Sequence, residues 1–229
     1  AALLYVPFLV IIGVVAWVYL RSVPIKASFK EQLDIFGMKH TWFCTITYVM
    51  TFGSFSGLSA AFPLMIKALY GSFPGAPDPL KYAFLGPLVG SLARILFGPI
   101  ADKWGGAILT HITGIVLIIS TLAMAWMGLL TPDSLTQFPA FVAILLILFF
   151  FTGVGNAATF RQYPIIFADS PRQSAGVIGW TAAIAAYGPF VFSTLIGSSI
   201  TKTGSPLIFF YGAVVFYVIA TAINWWYYT

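Results

Sequence analysis

Charge is scarce in this chain. Its 229 residues hold 11 basic and six acidic side chains, 7 % charged in all, where a typical soluble domain carries about 25 %. With 60 % hydrophobic residues and a mean hydropathy of +0.96, that scarcity excludes a soluble globular domain. Cysteine is nearly absent as well. Cys44 stands alone inside an apolar run, which rules out an intramolecular disulfide, and no Cys or His cluster has zinc-ligand spacing. No nucleophile–base pair or metal cluster falls within the apolar runs, so nothing supports an enzyme and no cofactor is expected. The formal charge of +5 is spread over few residues along the predicted loops, which argues for membrane topology over nucleic-acid binding.

What the chain does have is repeated apolar runs of about 20 residues, the length needed to cross a bilayer as helix. Seven spans are predicted: Leu3–Leu20, Thr41–Lys67, Tyr82–Ala101, Ala107–Leu130, Phe138–Phe160, Gly176–Ile200 and Pro206–Tyr228. Turn-rich segments join them, such as Gly71–Pro79 (GSFPGAPDP), Lys103–Gly106 (KWGG) and Thr131–Ser134 (TPDS). The fold class is therefore an all-α polytopic membrane protein. Residues 21–40 form the longest polar connection, expected to hold a short amphipathic helix around Phe29–Phe36.

Threading these spans puts Arg21, Lys26, Lys30, Lys39, Lys103, Arg161 and Arg172 on one side and Lys67, Lys81 and Lys202 on the other. The positive-inside rule then makes the first side cytoplasmic, with a cytoplasmic C-terminus. The chain opens on Ala-Ala and runs straight into a helix, without Met or signal peptide. The expectation is a piece of a longer chain. Residues 1–20 would be the last helix of a preceding half, 21–40 a cytoplasmic inter-half linker, and 41–229 a six-helix second half.

One charge stands out from this pattern. Arg94 lies inside a span, 12 residues from Tyr82 and eight from Asp102, or about 18 Å and 12 Å along a helix. An ionised side chain at such depth costs at least about 2.5–3.5 kcal/mol, so it marks a function or a partner. The acidic residues Glu31, Asp34, Asp78, Asp102, Asp133 and Asp169 all fall in or beside loops. The counter-ion must come from elsewhere, and a small anion fits, because the guanidinium fork binds oxyanions bidentately. A carboxylate from a preceding half is the alternative. Tyr48 and Phe52 stand one helical turn apart, on one face. A phenol can hydrogen-bond an oxyanion, and a ring face can stack on a flat ligand.

Small residues mark the remaining features. Gly86, Gly90, Ala93 and Gly98 let a neighbouring helix approach closely. Gly98–Gly106 (GPIADKWGG) closes a helix and opens a turn, where Asp102 and Lys103 are candidates for a latch, Asp102 by capping the adjacent helix. Gly153–Phe160 (GVGNAATF) ends the fifth span, leaving Arg161, Gln162 and Arg172 to a cytoplasmic loop. Within it Asn156 is a buried polar group, donating either to an anion or to a neighbouring carbonyl. Gly179–Phe190 (GWTAAIAAYGPF) lies in the sixth span, where Pro189 is a hinge candidate. His111 is read as interfacial.

GPIADKWGG resembles the loop signature between the second and third helices of each half in the major facilitator superfamily. More diagnostic stretches are TYVMTFGSFSGLSAAF (Thr47–Phe62), YAFLGPLVGSLAR (Tyr82–Arg94), GVGNAATF and PIIF (Pro164–Phe167). Together with YVPFLVIIGVVAWVYL (Tyr5–Leu20) they are similar to the C-terminal half of the nitrate/nitrite porters of that superfamily, over nearly the whole chain. The resemblance implies transport of nitrate and/or nitrite across the cytoplasmic membrane by alternating access, as nitrate/nitrite exchange, with proton-coupled symport the rival and a non-transporting scaffold or receptor a more distant one. It implies that Arg94 clamps the anion with an arginine of the N-terminal half of the same transporter, and that Tyr48 orients the anion while Phe52 stacks on it. The family's second glycine-rich nitrate signature matches the helix from Gly179. There Ala185 and Pro189 replace common glycines, and Ala182 a hydroxyl, so backbone approach at Gly179 is the contact best retained. The partners implied are nitrate or nitrite, the lipid bilayer and the N-terminal half.

Overall fold

The computed structural model describes residues 2–20 and 28–229; Arg21 and Lys26 of the expected linker lie outside the described residues. Among the described residues the regular structure is entirely helical. The chain divides into two compact units, Ala1–Leu33 and Asp34–Thr229. In the first, α1 (Ala2–Tyr19) is apolar along Tyr5–Tyr19, and α2 (Phe29–Gln32) is closed by a capping box between Ser28 and Glu31. A 3-10 turn over Leu33–Gly37 follows, so the predicted short helix near Phe29–Phe36 is present.

The second unit contains six helical rods long and apolar enough to cross a membrane: Lys39–Tyr70, Pro79–Trp104, Gly106–Trp126, Leu135–Ile166, Pro171–Thr203 and Leu207–Tyr228. They correspond one for one to the six predicted spans after the first, and α1 is a shorter apolar helix. This is an all-α polytopic membrane protein. Three rods are interrupted. The first is α3 (Lys39–Tyr48), a π-helical turn over Val49–Gly53, and α4 (Ser54–Tyr70). The second is α5 (Pro79–Tyr82) followed by α6 (Leu85–Trp104). After α7 (Gly106–Trp126) and α8 (Phe138–Ile166), the fifth rod breaks into α9 (Pro171–Ala185) and α10 (Gly188–Thr203), and α11 (Leu207–Tyr228) closes the chain.

The breaks have local causes. Pro189 sits in the first turn of α10, where its missing N–H is no loss, and the rod is interrupted just before it, at Ala186–Tyr187. The expected kink is thus a break between two helices. Gly105 ends α6 with φ 89°, a conformation that favours glycine, and α7 starts at the next residue. Asp78 caps α5 by accepting from the Leu80 N–H, with Pro79 in the first turn.

Packing follows the small residues. α8 lies at the centre, against α6 and α7, while α11 packs on α7 and α10 on α4. A Cβ on Gly153 of α8 would stand 2.1 Å from the Gly90 carbonyl oxygen, and one on Gly86 would stand 2.3 Å from the Phe149 ring. Ala93 is 1 % exposed on the same stripe. The predicted Gly86–Gly90–Ala93 surface is thus the α6–α8 seam. Most polar groups inside the bundle find partners, as a bilayer core demands; the exceptions among the described residues are His111 Nδ1, Gln162 Oε1 and Trp180 Nε1. Gln162 Nε2 donates to Thr110 Oγ1 (2.8 Å) and Asn224 Oδ1 (3.3 Å), and Asn224 Nδ2 donates to the Ala107 carbonyl (2.9 Å). Cys44 is fully buried and forms no disulfide, a packing residue.

Where the 3-10 turn leads into the bundle, Arg172 at the start of α9 clasps Asp34 through both terminal nitrogens, and Gln173 Nε2 adds a bond of 2.9 Å. Hydrogen bonds from Arg172, then Gln173, hold the Asp34 carboxyl below its ordinary value of 3.8. A depressed carboxylate strengthens the folded state above its ordinary value and stops doing so as pH falls through the lowered one. The clasp should therefore survive titration from pH 7 to 4. Amide exchange at 34–37 is expected to stay flat over that range and to rise below it. In the Asp34→Asn variant it should be raised at every pH. Both side chains are well over a third exposed, so high salt should weaken the clasp.

Candidate functional site

The π-turn lies where the sequence placed Tyr48 and Phe52. Extra residues in a helical turn re-aim the side chains around them, and such turns recur at functional sites. Here the two rings stack with centroids 5.4 Å apart and an interplanar angle of 16°. On the other face of Tyr48 lies Phe160 of α8, at 4.4 Å and 17°. Tyr163 meets both edge-on, at 6.4 Å and 5.8 Å. Tyr48 is thereby enclosed, only 2 % exposed, and Phe52 is half-buried at the end of the stack.

The Tyr48 hydroxyl is committed. It donates to Asn156 Oδ1 at 3.2 Å, so Asn156 accepts from Tyr48 and does not donate to a carbonyl. Its Nδ2 makes no hydrogen bond among the described residues and remains available as a donor. Close helix contact makes the pairing possible. A Cβ at Gly155 would stand 2.5 Å from Thr51 of the π-turn. Phe160 was not singled out by sequence reading, because aromatics make up 17 % of the chain and its partner lies over 100 positions away.

Arg94 projects from α6, one position beyond Ala93 and four after Gly90. At about 100° per residue this is the flank of the face that packs on α8. Its side chain is exposed and makes no hydrogen bond or ion pair among the described residues. It is close enough to Tyr48 to act electrostatically on the hydroxyl. Tyr48, Phe52 and Asn156 are brought together, with Arg94 related to them through Tyr48 alone.

Gly179 is exposed on α9, which packs on α3 and the π-turn, and a Cβ there would meet nothing within 4 Å. The break before α10 also abuts the π-turn, since a Cβ on Gly188 would stand 2.3 Å from the Gly53 carbonyl.

The structure corrects two expectations near the α6–α7 turn. First, α8 does not end at Phe160. It runs to Ile166, so Arg161 and Gln162 are helical and not in a loop. Second, Asp102 does not cap α7, whose first residue follows Gly105 with no side-chain cap. Instead Arg161 Nε donates to Asp102 Oδ1 at 2.6 Å and Arg161 Nη1 donates to the Ala157 carbonyl at 3.0 Å. The guanidinium lies over Gly98, where a Cβ would stand 2.7 Å from Nη2. The small residue of GPIADKWGG therefore makes room for the α8 arginine, and Gly106 admits the Ala158 carbonyl in the same way. Asp102 and Arg161 are 59 % and 36 % exposed, so their pair contributes at most about 1 kcal/mol of stability. Lys103, beside Asp102, is exposed. His111 packs its ring on Trp225, centroids 4.8 Å apart, and its Nδ1 is buried without a partner.

No protein-family model matches the chain. It is 58 % identical over its full length to a protein of Thermus thermophilus named as a probable nitrate/nitrite antiporter, covering 51 % of that protein. It is 31 % identical over 98 % of its length to a nitrate/nitrite transporter of Escherichia coli, covering 52 %. A nitrite extrusion protein of Bacillus subtilis is 25 % identical over 81 % of the chain and matches across 44 % of its own length. The chain spans about half the length of the curated relatives it matches.

Proposed function

We propose, on the premise that this chain is homologous along its length to proteins named as nitrate/nitrite transporters, that it is the C-terminal half of a cytoplasmic-membrane carrier exchanging nitrate and nitrite. The observation that carries the reading is Arg94, an exposed cation with no ion pair among the described residues, which acts electrostatically on Tyr48, the middle ring of the Phe52–Tyr48–Phe160 stack.

The guanidinium is the counter-charge for the anion and forks onto two of its oxygens. Phe52 presents a ring face to the plane of a trigonal anion. Tyr48, already bonded to Asn156, positions that amide, and Asn156 Nδ2 supplies a neutral donor. Gly179 leaves its backbone open to the same space, which the N-terminal half closes with a second arginine. Two cations facing each other without an anion repel, and the empty carrier reorients poorly. Net flux then requires an anion in each direction.

On this reading the Asp102–Arg161 pair, with Gly98 beneath it and Lys103 beside it, joins α6 to α8 at the cytoplasmic end. The break at Ala186–Tyr187, next to the π-turn, is where α9 and α10 re-orient during alternating access. The C-terminus is cytoplasmic.

Proteoliposomes of the full-length protein test this. Labelled nitrite uptake should require internal nitrate or nitrite and should not respond to an imposed pH gradient. Equal uptake into anion-free vesicles would contradict exchange, and uptake driven by an inward proton gradient would establish symport instead.

A further inference from the structure

The structure holds a second candidate site, at α10 and α11. Between α10 and α11 runs a groove of about 650 Å³, floored near Val49 and walled by Val191, Leu195, Ile208, Gly212 and Phe216. We propose that this groove binds an anionic phospholipid, with one acyl chain along the wall and the phosphate on Lys202.

The wall chemistry selects an acyl chain. Two of its polar groups are already occupied within the protein. The Ser199 hydroxyl donates to the Ser205 carbonyl at 2.7 Å, and the Tyr217 hydroxyl donates to Ser54 Oγ at 3.0 Å. An occupant therefore need bring no hydrogen bond to either. Ser198 is the one further hydroxyl of the lining, too little to compensate a polar solute for the hydration it would lose against the aliphatic and aromatic surface. Gly212 has no side chain, and a Cβ there would meet nothing within 4 Å, so the groove is open at its middle.

The charge pattern selects an anionic headgroup. Lys202, in the last turn of α10, is the one charged side chain of the lining. It is exposed and forms no ion pair among the described residues. A lysine at a helix end keeps its stem on apolar surface and its ammonium at headgroup level. An ammonium so placed attracts the phosphate of an anionic headgroup in the leaflet it faces, here the non-cytoplasmic one. None of Arg94, Tyr48, Phe52 and Asn156 lines the groove, so lipid binding here does not depend on the identity of the transported anion.

The test uses the full-length protein in vesicles containing phosphatidylglycerol with a diazirine-bearing acyl chain. Photolabelling should map to peptides of α10 and α11. Lys202→Gln is expected to lower labelling about fivefold, the effect of removing one cation near an anionic headgroup. Gly212→Phe, which fills the groove, should abolish it there while leaving labelling elsewhere unchanged. Thermal unfolding of both variants identifies any misfolding. If Gly212→Phe misfolds, a bulky methanethiosulfonate adduct at Leu195→Cys occludes the same groove after folding. Labelling insensitive to all three changes would overturn the proposal. So would diazirine placed at Leu195 crosslinking to polypeptide and not to lipid.

Discussion

Replacing Arg94 by lysine is expected to cut nitrate uptake by the full-length protein at least about 30-fold, a loss of about 2 kcal/mol. Charge alone is not what the site uses. An ammonium is a point charge on a flexible stem, and it cannot reproduce two parallel N–H bonds to a planar oxyanion. Arg94→Gln removes the charge too and should leave no measurable transport, since unpairing a desolvated ion costs about 2–5 kcal/mol. Neither change should harm folding. Arg94 is exposed and bonds to nothing among the described residues, and relieving a membrane-embedded cation favours insertion. Comparable levels of membrane-inserted protein with lost flux is the expected pair of results. Intact flux in Arg94→Lys would show that the site does not use the bidentate fork of Arg94.

Gly153→Ala tests the architecture that holds this site. Its Cβ would lie 2.1 Å from the Gly90 carbonyl oxygen and 2.8 Å from its carbon. The obstacle is backbone on a packed helix, so no rotamer can yield. Alanine in place of helical glycine normally gains about 1 kcal/mol. Here overpacking, at or above the upper end of about 1–3 kcal/mol, outweighs that gain. α6 must move off α8, and Arg94 moves with it while Asn156 stays. The variant should unfold at a temperature several degrees lower in detergent and lose anion binding. Gly197→Ala is the matched control, because it lies outside the site and nothing lies within 4 Å of its added methyl. An unchanged melting temperature in Gly153→Ala would show that the seam is not as tight as described.

These two sites mark what the sequence could disclose. The Gly86–Gly90–Ala93 stripe is written in helical spacing and appeared where spacing put it. The shared face of Tyr48 and Phe52 is written there too, and the structure adds that the two rings stack on each other. Partners across the chain are not written there. Phe160 reads as one aromatic among many until α8 places it on Tyr48, and Asn156 reads as a lone polar group until it accepts from that phenol. Arg161 was drawn into a loop because charge ordinarily ends a span. The helix continues through it because Asp102 and the Ala157 carbonyl receive its guanidinium. The π-turn at Val49–Gly53 has no proline to announce it. It lies where Gly188, Thr51 and Gly155 crowd the same stretch, a tertiary demand with no local signal.

The most direct measurement is nitrate binding to the purified full-length protein by titration calorimetry, wild type beside Arg94→Gln, in chloride buffer. Saturable binding to the wild type and none to the variant, with both equally folded, is the predicted result. Equal affinity in the two proteins would mean that the anion sits elsewhere and that Arg94 is not its counter-charge.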